Sequence, residues 1–301
     1  MGTNGLFLTA TLIWGSTWLA ITWQLGVVPP EVSVAYRFGL ASLLLTGWCL
    51  ASERSLTFTR RDHVFLAVQG VLFYGLNYIG VYWAERYVAS GLVAVVFATI
   101  VFMNPIAMRL VYGTPLTART LFAATLGVGG VALLFLPELI LARHGGSAAR
   151  GIAFALGATV LACGGNLIAV RNHDAGIPIL SGNAWAMGYG AFSAVLAAIV
   201  QGVKWSFDPR PAYILSLAYL AVFGSVIAFG AYLTLLKRVG AGPAAYVGVS
   251  TPVIALALST FVEGYRWTWI AALGVVLALL GNWLALRPTT NAVSLDAPTR
   301  A

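Results

Sequence analysis

Long apolar stretches alternate with short polar connections along the whole chain. Ten stretches of about 20 residues stand between turn and charge signals. They run over 4–24, 31–50, 63–84, 89–110, 117–136, 150–171, 179–200, 211–236, 241–261 and 267–286. Each is long enough to cross a hydrocarbon core about 30 Å thick, and none alternates like a strand. Because backbone polar groups in lipid need internal partners, the pattern predicts an all-α protein with ten transmembrane helices.

The composition agrees with a polytopic membrane protein. Only 9% of the 301 residues are charged and 60% are hydrophobic, with a mean hydropathy of +0.88. A soluble globular protein carries about 25% charged residues, so this chain has too few charges to cover a water-facing surface. The composition therefore excludes soluble enzymes and nucleic-acid-binding proteins. The two cysteines, Cys49 and Cys163, lie in apolar stretches, so we predict no disulfide framework, no metal site and no cofactor.

The basic residues between the stretches predict the orientation in the membrane. We call the side that carries the N-terminus side one, and the opposite side of the membrane side two. Side one then receives Arg54, Arg60, Arg61, Arg109, Arg119, Arg171, Lys237, Arg238, Arg287 and Arg300, and side two receives Arg86, Arg143, Arg150, Lys204, Arg210 and Arg266. Because cytoplasmic loops carry the excess of Lys and Arg, both termini are predicted to be cytoplasmic.

The two halves of the sequence are similar to each other. Trp14-Gly15 aligns with Cys163-Gly164 at an offset of 149 residues, and Gly130 aligns with Gly281 at an offset of 151 residues. A repeat of five crossings, an odd number, inserts its copy with the opposite orientation, as in many secondary transporters. The predicted organisation is a first repeat over 1–137, a linker over 138–149, an inverted second repeat over 150–287 and a disordered cytoplasmic tail over 288–301.

Charged residues are rare inside the predicted helices. All nine acidic residues lie at or beyond the ends of these helices, and His63, His144 and His173 lie in predicted loops. Proton-coupled carriers usually need an intramembrane carboxylate or histidine, so the pattern predicts facilitated transport. Arg37 is the one basic residue that lies well inside a predicted helix, away from both sides. Two interpretations of Arg37 stay open, a structural contact with a carbonyl group or contact with a substrate carboxylate.

Neutral polar residues are the other candidates for substrate contact. Tyr74, Tyr78 and Tyr82 recur at every fourth position of the third predicted helix, with Asn77 beside them. A mid-helix amide is costly in lipid, which favours an inward-facing surface, although packing or an interfacial aromatic belt is the alternative.

Further candidates lie beside glycines and prolines of four other predicted helices. Substrate contact is predicted for Trp14, Ser16, Thr17, Thr99, Asn166, Tyr246 and Ser250, and hinge positions are predicted at Gly15, Pro105 and Pro252. A proline frees a carbonyl one turn earlier and can kink a helix beside a cavity, although kinks without substrate contact are also common. These neutral polar and aromatic side chains predict an uncharged, aromatic cavity for neutral or zwitterionic solutes.

Several short motifs resemble a known family. They are Trp14-Gly15-Ser16-Thr17, Tyr36-Arg37-Phe38, Ala89-x-Gly91-x-x-Ala94, Gly224-Ser225-x-x-Ala228-Phe229, Tyr232, Pro252, Glu263-Gly264 and the Gly274/Gly281 pattern. In this order the motifs resemble the drug/metabolite transporter (DMT) superfamily of the EamA type over nearly the whole chain. Within that superfamily they are most similar to the YddG-like exporters of aromatic and other neutral amino acids.

The resemblance implies a fold and a function. The implied fold is a 5+5 inverted repeat in which helices one to four and six to nine surround a central cavity, while helices five and ten are peripheral. The implied function is export of neutral or aromatic amino acids, or similar zwitterionic metabolites, by alternating access in a bacterial inner membrane. The partners are then a small-molecule substrate and the lipid bilayer, without nucleic acid, and a monomer is favoured.

Three alternatives remain open. The same cavity would suit a multidrug exporter or an exporter of nucleobase-like metabolites. An intramembrane enzyme is not expected, because the sequence contains no Ser-His pair, no HExxH and no Gly-x-Ser-x-Gly motif. A structural membrane protein would contain no solvent-filled cavity.

Overall fold

The computed structural model describes residues 1–113, 115–141, 147–239 and 241–286. The predicted tail at 288–301 and residues 142–146 of the predicted linker lie outside the described residues, so these two predictions stay untested.

The described residues form ten helices and no strand. These are α1 (Thr3–Thr22), α2 (Pro30–Ala51), α3 (Arg60–Glu85), α4 (Ser90–Tyr112), α5 (Ala118–Leu141), α6 (Ser147–Asp174), α7 (Ile179–Val200), α8 (211–239), α9 (Ala241–Val262) and α10 (Trp269–Leu286). By length and composition seven of them are able to cross a membrane, and the apolar parts of α5, α9 and α10 are shorter. The predicted all-α membrane fold is confirmed.

Local sequence signals account for several helix ends. Pro30 and Pro211 occupy the first turns of α2 and α8, where a missing N–H costs least. Thr59 and Asp62 form a capping box at the start of α3, and Gly113 ends α4 with a φ of 71°. Because α3 and α6 extend beyond their predicted ends, His63 and His173 lie in terminal helical turns instead of loops.

Two π-helical segments occur at equivalent places in the two halves. Gly70–Leu76 widens α3, and Leu220–Ile227 widens α8, about 150 positions later in the chain. Glycines on both helices allow α3 and α7 to approach each other closely. A Cβ on Gly190 of α7 would lie 2.9 Å from the carbonyl oxygen of Gly70 in the α3 segment. Such segments are frequent at functional sites, and the hydropathy pattern gives no sign of them.

The three predicted hinge positions have different surroundings. α1 continues unbroken through Gly15, whose missing Cβ would lie 2.6 Å from the Cβ of Ile254 on α9. α9 also continues unbroken through Pro252, whereas α4 is interrupted at 98–99, before Pro105. The glycine thus permits close helix contact, and movement about these positions stays a prediction.

The contacts between helices occur in equivalent sets, as expected if a two-fold axis relates the two halves of the chain. α2 packs on α7, α4 on α9 and α5 on α10, and each of these pairs joins equivalent helices of the two halves. The contact of α1 with α9 is matched by that of α6 with α4, and α1 with α8 by α6 with α3. This pairing is the pseudo-two-fold relation of a 5+5 repeat, which five crossings make an inverted one.

Helices α5 and α10 pack mainly on each other, as the resemblance implies. Equivalent residues of the two helices make equivalent close contacts. A Cβ on Gly130 would lie 2.6 Å from the carbonyl oxygen of Gly274, and a Cβ on Gly281 would lie 2.7 Å from that of Ala123. Small residues therefore bring the two backbones into direct contact, which is a common way of joining helices in lipid.

Candidate functional site

A cavity of about 460 Å³ lies between α3, α4, α6, α7 and α8. Its wall reaches from Tyr74 and Phe229 near the middle of the helices to His173 and Pro178 at the α6–α7 connection. Because six crossings, an even number, lead from the N-terminus to the α6–α7 connection, the mouth lies on side one by chain order. The protein is therefore in a conformation that is open towards side one.

One wall of the cavity is a network of amide side chains that joins α3, α6 and α7. The Oδ1 atom of Asn183 accepts hydrogen bonds from the Tyr74 hydroxyl at 3.2 Å and from Gln69 Nε2 at 3.3 Å. The Oε1 atom of Gln69 accepts a hydrogen bond from Asn172 Nδ2 at 2.8 Å. Buried amides are stable when they are hydrogen-bonded, so this network fixes the three helices at the cavity wall.

A second pair of amides lies between α4 and α6. Asn166 Nδ2 donates to Asn104 Oδ1 over 3.4 Å, a long hydrogen bond. The described lining contains no Asp, Glu, Lys or Arg side chain, and His173 is its one titratable side chain besides tyrosine. The cavity thus offers neutral donors and acceptors to a solute.

Aromatic rings form the inner part of the wall on α8. Trp14 donates from Nε1 to the carbonyl oxygen of Gly224 at 3.1 Å, which fixes the indole against this helix. Its ring centroid lies 5.1 Å from that of Phe229 and 5.3 Å from that of Tyr232, and these two rings line the cavity. Trp14 therefore supports the aromatic wall from behind.

Of the sequence-predicted residues, Tyr74 and Asn166 line this cavity. Three others direct their polar atoms to their own helices: Thr17 donates to Trp14 O at 2.7 Å, Asn77 to Phe73 O at 2.9 Å, and Thr99 to Val96 O at 2.6 Å. These bonds satisfy the donor groups of three buried side chains. Asn77 Oδ1 has no hydrogen-bond partner.

The remaining predicted residues lie outside the lining of this cavity. Ser16 shares a hydrogen bond of 2.6 Å with the Tyr219 hydroxyl, and Tyr246 and Ser250 are half-buried on α9. Tyr78, Tyr82 and Arg37 lie closer to side two; the Tyr78 ring is 4.5 Å from the guanidinium carbon of Arg37. Substrate contact by these residues stays a prediction.

Three buried amides of the cavity wall were not predicted from the sequence: Gln69, Asn172 and Asn183. All three are buried amides near the side-one ends of helices, where a polar residue is ordinary. The cost of an amide in lipid, which singled out Asn77, applies equally to Gln69 and Asn183, because both fall inside predicted helices. That signal was available in the sequence, but which amides meet depends on the packing of α3 on α7.

Side two is closed by hydrogen bonds between different helices. The Tyr82 hydroxyl donates to Gln24 Oε1 at 2.7 Å, and both side chains are buried. Trp83 Nε1 donates to Glu31 Oε1 at 2.9 Å. We call these two contacts the side-two seal, which joins α3 to α2 and to the connection after α1.

Further contacts on side two join α2 to α8. The hydroxyls of Ser33 and Tyr213 lie 3.0 Å apart, and both residues are buried. The connection that leads into α8 carries an ion pair, with Arg210 Nη2 2.6 Å from Asp208 Oδ2. Hydrogen bonds from Arg210 lower the pKa of Asp208, so this carboxylate is charged at neutral pH.

Replacing Asn183 with leucine is expected to destabilise the protein, because Tyr74 and Gln69 would lose a shared acceptor. Each donor left unsatisfied in a buried site costs about 1–3 kcal/mol. We expect a clearly lower thermal midpoint in detergent than for the wild type. The matched control is Thr125→Val on α5, since Thr125 is exposed and bonds only to its own helix, to Leu121 O. Equal midpoints for Asn183→Leu and the control would contradict this role.

Comparisons with known proteins agree with the fold. The description "EamA-like transporter family" matches residues 2–136 and again 149–287. The chain is 24% identical over 290 residues to "Protein PagO" of Salmonella typhimurium (strain LT2), covering 93% of this chain and 91% of that protein. It is 27% identical over 307 residues to "Uncharacterized inner membrane transporter YedA" of Escherichia coli (strain K12), covering 97% and 96%. A solved crystal structure matches 94% of this chain and 96% of its own with a TM-score of 0.65 and 19% identity, which shows a shared fold.

Proposed function

Because the chain belongs to the EamA-like transporter family of membrane transporters, we propose that it exports neutral and aromatic amino acids or similar small zwitterionic metabolites. The relative YedA carries the name of an inner membrane transporter, which supports a bacterial inner membrane as the location.

The observation that carries this proposal is the chemistry of the cavity that is open to side one. Its volume of about 460 Å³ lies within the range of about 300–1,000 Å³ typical of small-molecule sites. An anionic substrate such as a sugar nucleotide needs basic side chains to replace its hydration, and a cation needs acidic ones. The described lining offers neither, but its amides and aromatic rings suit a solute without net charge that carries an apolar side chain.

The difference between the two sides of the membrane, one open and one closed, supports alternating access. Side one is open and side two is closed by the side-two seal. Movement of the helices about the π-helical segments of α3 and α8 would open side two and close side one. If side one is cytoplasmic, as the basic residues predict, this conformation is the one that loads a substrate for export.

The test is flux of labelled tryptophan, phenylalanine and threonine through the purified protein in liposomes. We expect flux above that of protein-free liposomes, and we expect Asn166→Leu to reduce it about tenfold because one amide of the wall is lost. Thr125→Val on the outer surface of α5 is the control and should transport like the wild type. Absence of flux for all amino acids would contradict the proposal.

A nucleobase-like metabolite is the second candidate substrate. The amide pairs Gln69–Asn183 and Asn104–Asn166 present donors and acceptors side by side, as the edge of a planar heterocycle does. Competition separates the two candidates, since unlabelled nucleobases would suppress tryptophan flux only if they occupy the same cavity. Strong competition by nucleobases together with weak competition by amino acids would favour this second candidate.

A further inference from the structure

The amide network of the cavity wall begins at a side chain that can only donate hydrogen bonds. Arg171 Nη1, in the last turn of α6, donates to Asn172 Oδ1 at 3.1 Å. The guanidinium is held in this place by α3, because its carbon lies 3.7 Å from the centre of the Phe65 ring and Nη1 lies 3.7 Å from Asp62 Oδ1. A guanidinium has five N–H donors and no acceptor, so the atom of Asn172 that faces it is the oxygen.

This contact determines the direction of the other hydrogen bonds in the network. With its oxygen turned to Arg171, Asn172 presents Nδ2 to Gln69, whose Oε1 accepts at 2.8 Å. Gln69 therefore presents Nε2 to Asn183, whose Oδ1 accepts at 3.3 Å. The Tyr74 hydroxyl donates to the same Oδ1 atom at 3.2 Å. Each amide thus uses its oxygen inside the network, and the nitrogen is what remains at the far end.

The far end of the network is the amide nitrogen of Asn183. Its Oδ1 atom accepts two hydrogen bonds, the number that two lone pairs provide. In the part of the chain that the structure describes, Nδ2 donates to no protein atom. Asn183 also lines the cavity. Two N–H groups on a side chain of fixed orientation are therefore available to a solute.

Donors without an adjacent free acceptor favour an anionic group. A carboxylate only accepts hydrogen bonds, and a hydrogen bond to an ionised acceptor is about twice as strong as one between neutral groups. An ammonium group has no acceptor, so it finds no partner at Asn183 Nδ2. The rings of Phe229 and Tyr232 line the same cavity and offer an apolar surface to the rest of the solute.

We infer that Asn183 Nδ2 is the carboxylate subsite of the cavity open to side one, and that Arg171 is a positioning residue for it. The described lining does not include Arg171, which acts through Asn172 and Gln69 by fixing which atom Asn183 turns to the solute. The inference rests on the proposed function and specifies how a zwitterionic amino acid is oriented, with its carboxylate towards α7.

The subsite has no copy on the approach from side two. At the offset of 149 residues that relates the two halves, Asn183 aligns with Val34 and Asn172 aligns with Trp23. A solute carboxylate therefore meets this arrangement of donors only on the side that is open in the present conformation.

The test is direct binding of three labelled solutes that share one apolar group. They are phenylalanine, 3-phenylpropionate, which lacks the ammonium group, and phenethylamine, which lacks the carboxylate. Binding to the purified protein in detergent is measured by scintillation proximity, which avoids passive passage of the amine through lipid. For the wild type we expect phenylalanine to bind at least about tenfold more tightly than phenethylamine, because the amine leaves the donors of Asn183 without an acceptor.

Asn183→Asp separates the polarity of the subsite from its fold. The new carboxylate keeps an acceptor for Tyr74 and Gln69, but it replaces the two N–H groups with an oxygen. We expect the affinities for phenylalanine and 3-phenylpropionate to fall at least about tenfold, whereas phenethylamine should bind as tightly as before or more tightly. Unchanged affinities, or an equal loss for all three solutes, would overturn the inference. All variants are compared after equal recovery of monodisperse protein.

Arg171→Met tests the positioning role. Without a donor-only group at its start the network can reverse, and Asn183 then presents oxygen as well as nitrogen to the cavity. We expect the preference for phenylalanine over phenethylamine to fall about three- to tenfold, and Arg171→Lys to restore part of it, because an ammonium group is also donor-only. The matched control is Arg109→Met, which removes the same charge from an exposed arginine that donates to Gly113 O. It should keep the wild-type preference.

The double variant Arg171→Met/Asn183→Asp distinguishes action through the amides from direct attraction between Arg171 and the solute. An aspartate has oxygen at both positions, so the direction of the network no longer matters. Arg171→Met should then add nothing to the change in preference that Asn183→Asp causes. Additive effects of the two substitutions would show that Arg171 acts on the solute directly, which would overturn its positioning role.

The liposome experiment separates this inference from the proposed function. If the wild type transports phenylalanine but Asn183→Asp keeps the wild-type preference, the carboxylate subsite is wrong and the proposed function stands. If the wild type neither binds nor transports phenylalanine, the proposed function is wrong and the subsite is wrong with it.

Discussion

Replacing Gly130 with leucine is expected to separate α5 from α10 and to prevent accumulation of stable protein. A Cβ at this position would lie 2.6 Å from the carbonyl oxygen of Gly274, a backbone atom that cannot move without displacing α10. Overpacking costs about 1–3 kcal/mol and occasionally more, and a clash with a backbone atom leaves little room for relaxation. The loss is measured as the thermal midpoint in detergent and as the yield of monodisperse protein.

The adjacent glycine is the matched control for this experiment. Gly129 lies on the exposed side of α5, with no heavy atom within 4 Å of a Cβ built there. Gly129→Leu adds the same side chain to the same helix, so its effect on helix propensity and membrane insertion is the same. We expect a midpoint close to that of the wild type. Similar behaviour of the two variants would show that α5 and α10 do not depend on this close contact.

Cysteine labelling is expected to distinguish the open and the closed side by more than about tenfold in rate. The background replaces the two native cysteines, Cys49 and Cys163, which are both buried. A cysteine in place of Phe229 lines the cavity and should react rapidly with a membrane-impermeant maleimide supplied from side one. A cysteine in place of Ala84, which is buried next to the side-two seal, keeps Tyr82 and Trp83 and should be protected from both sides.

The same experiment determines the orientation in the membrane. In inside-out vesicles the cytoplasmic side faces the reagent, so rapid labelling at position 229 there would show that side one is cytoplasmic. Phenylalanine should slow this labelling if it occupies the cavity. Rapid labelling at position 84 together with protection at position 229 would mean that the protein rests in the opposite conformation.

The apolar pattern was sufficient to predict the helices and their number. Each stretch is long enough to span the membrane, and lipid leaves few alternatives to a helix. The π-helical segments Gly70–Leu76 and Leu220–Ile227 were not predictable, because one widened turn hardly changes the apolar pattern. They depend on close packing between helices, such as that of α3 on α7 at Gly70 and Gly190.

The candidate site was predictable only in part. The sequence singled out Tyr74 and Asn166, and both line the cavity. It could not show which polar residues face each other, since Asn183 and Gln69 are 114 positions apart in the chain. The position of Glu85 at a helix end could not show its burial either, and the structure leaves this residue only 7% exposed.

The internal symmetry also identifies the residues that would close side one. Tyr82 aligns with Tyr232 at an offset of 150 residues, and Gln24 aligns with His173 at an offset of 149 residues. Tyr82 and Gln24 are joined in the present conformation, whereas Tyr232 and His173 both line the open cavity. If the halves exchange conformations, a contact between Tyr232 and His173 would replace the contact between Tyr82 and Gln24. The two closed ends would then differ in chemistry, because a phenol would meet an aromatic ring on side one and an amide on side two.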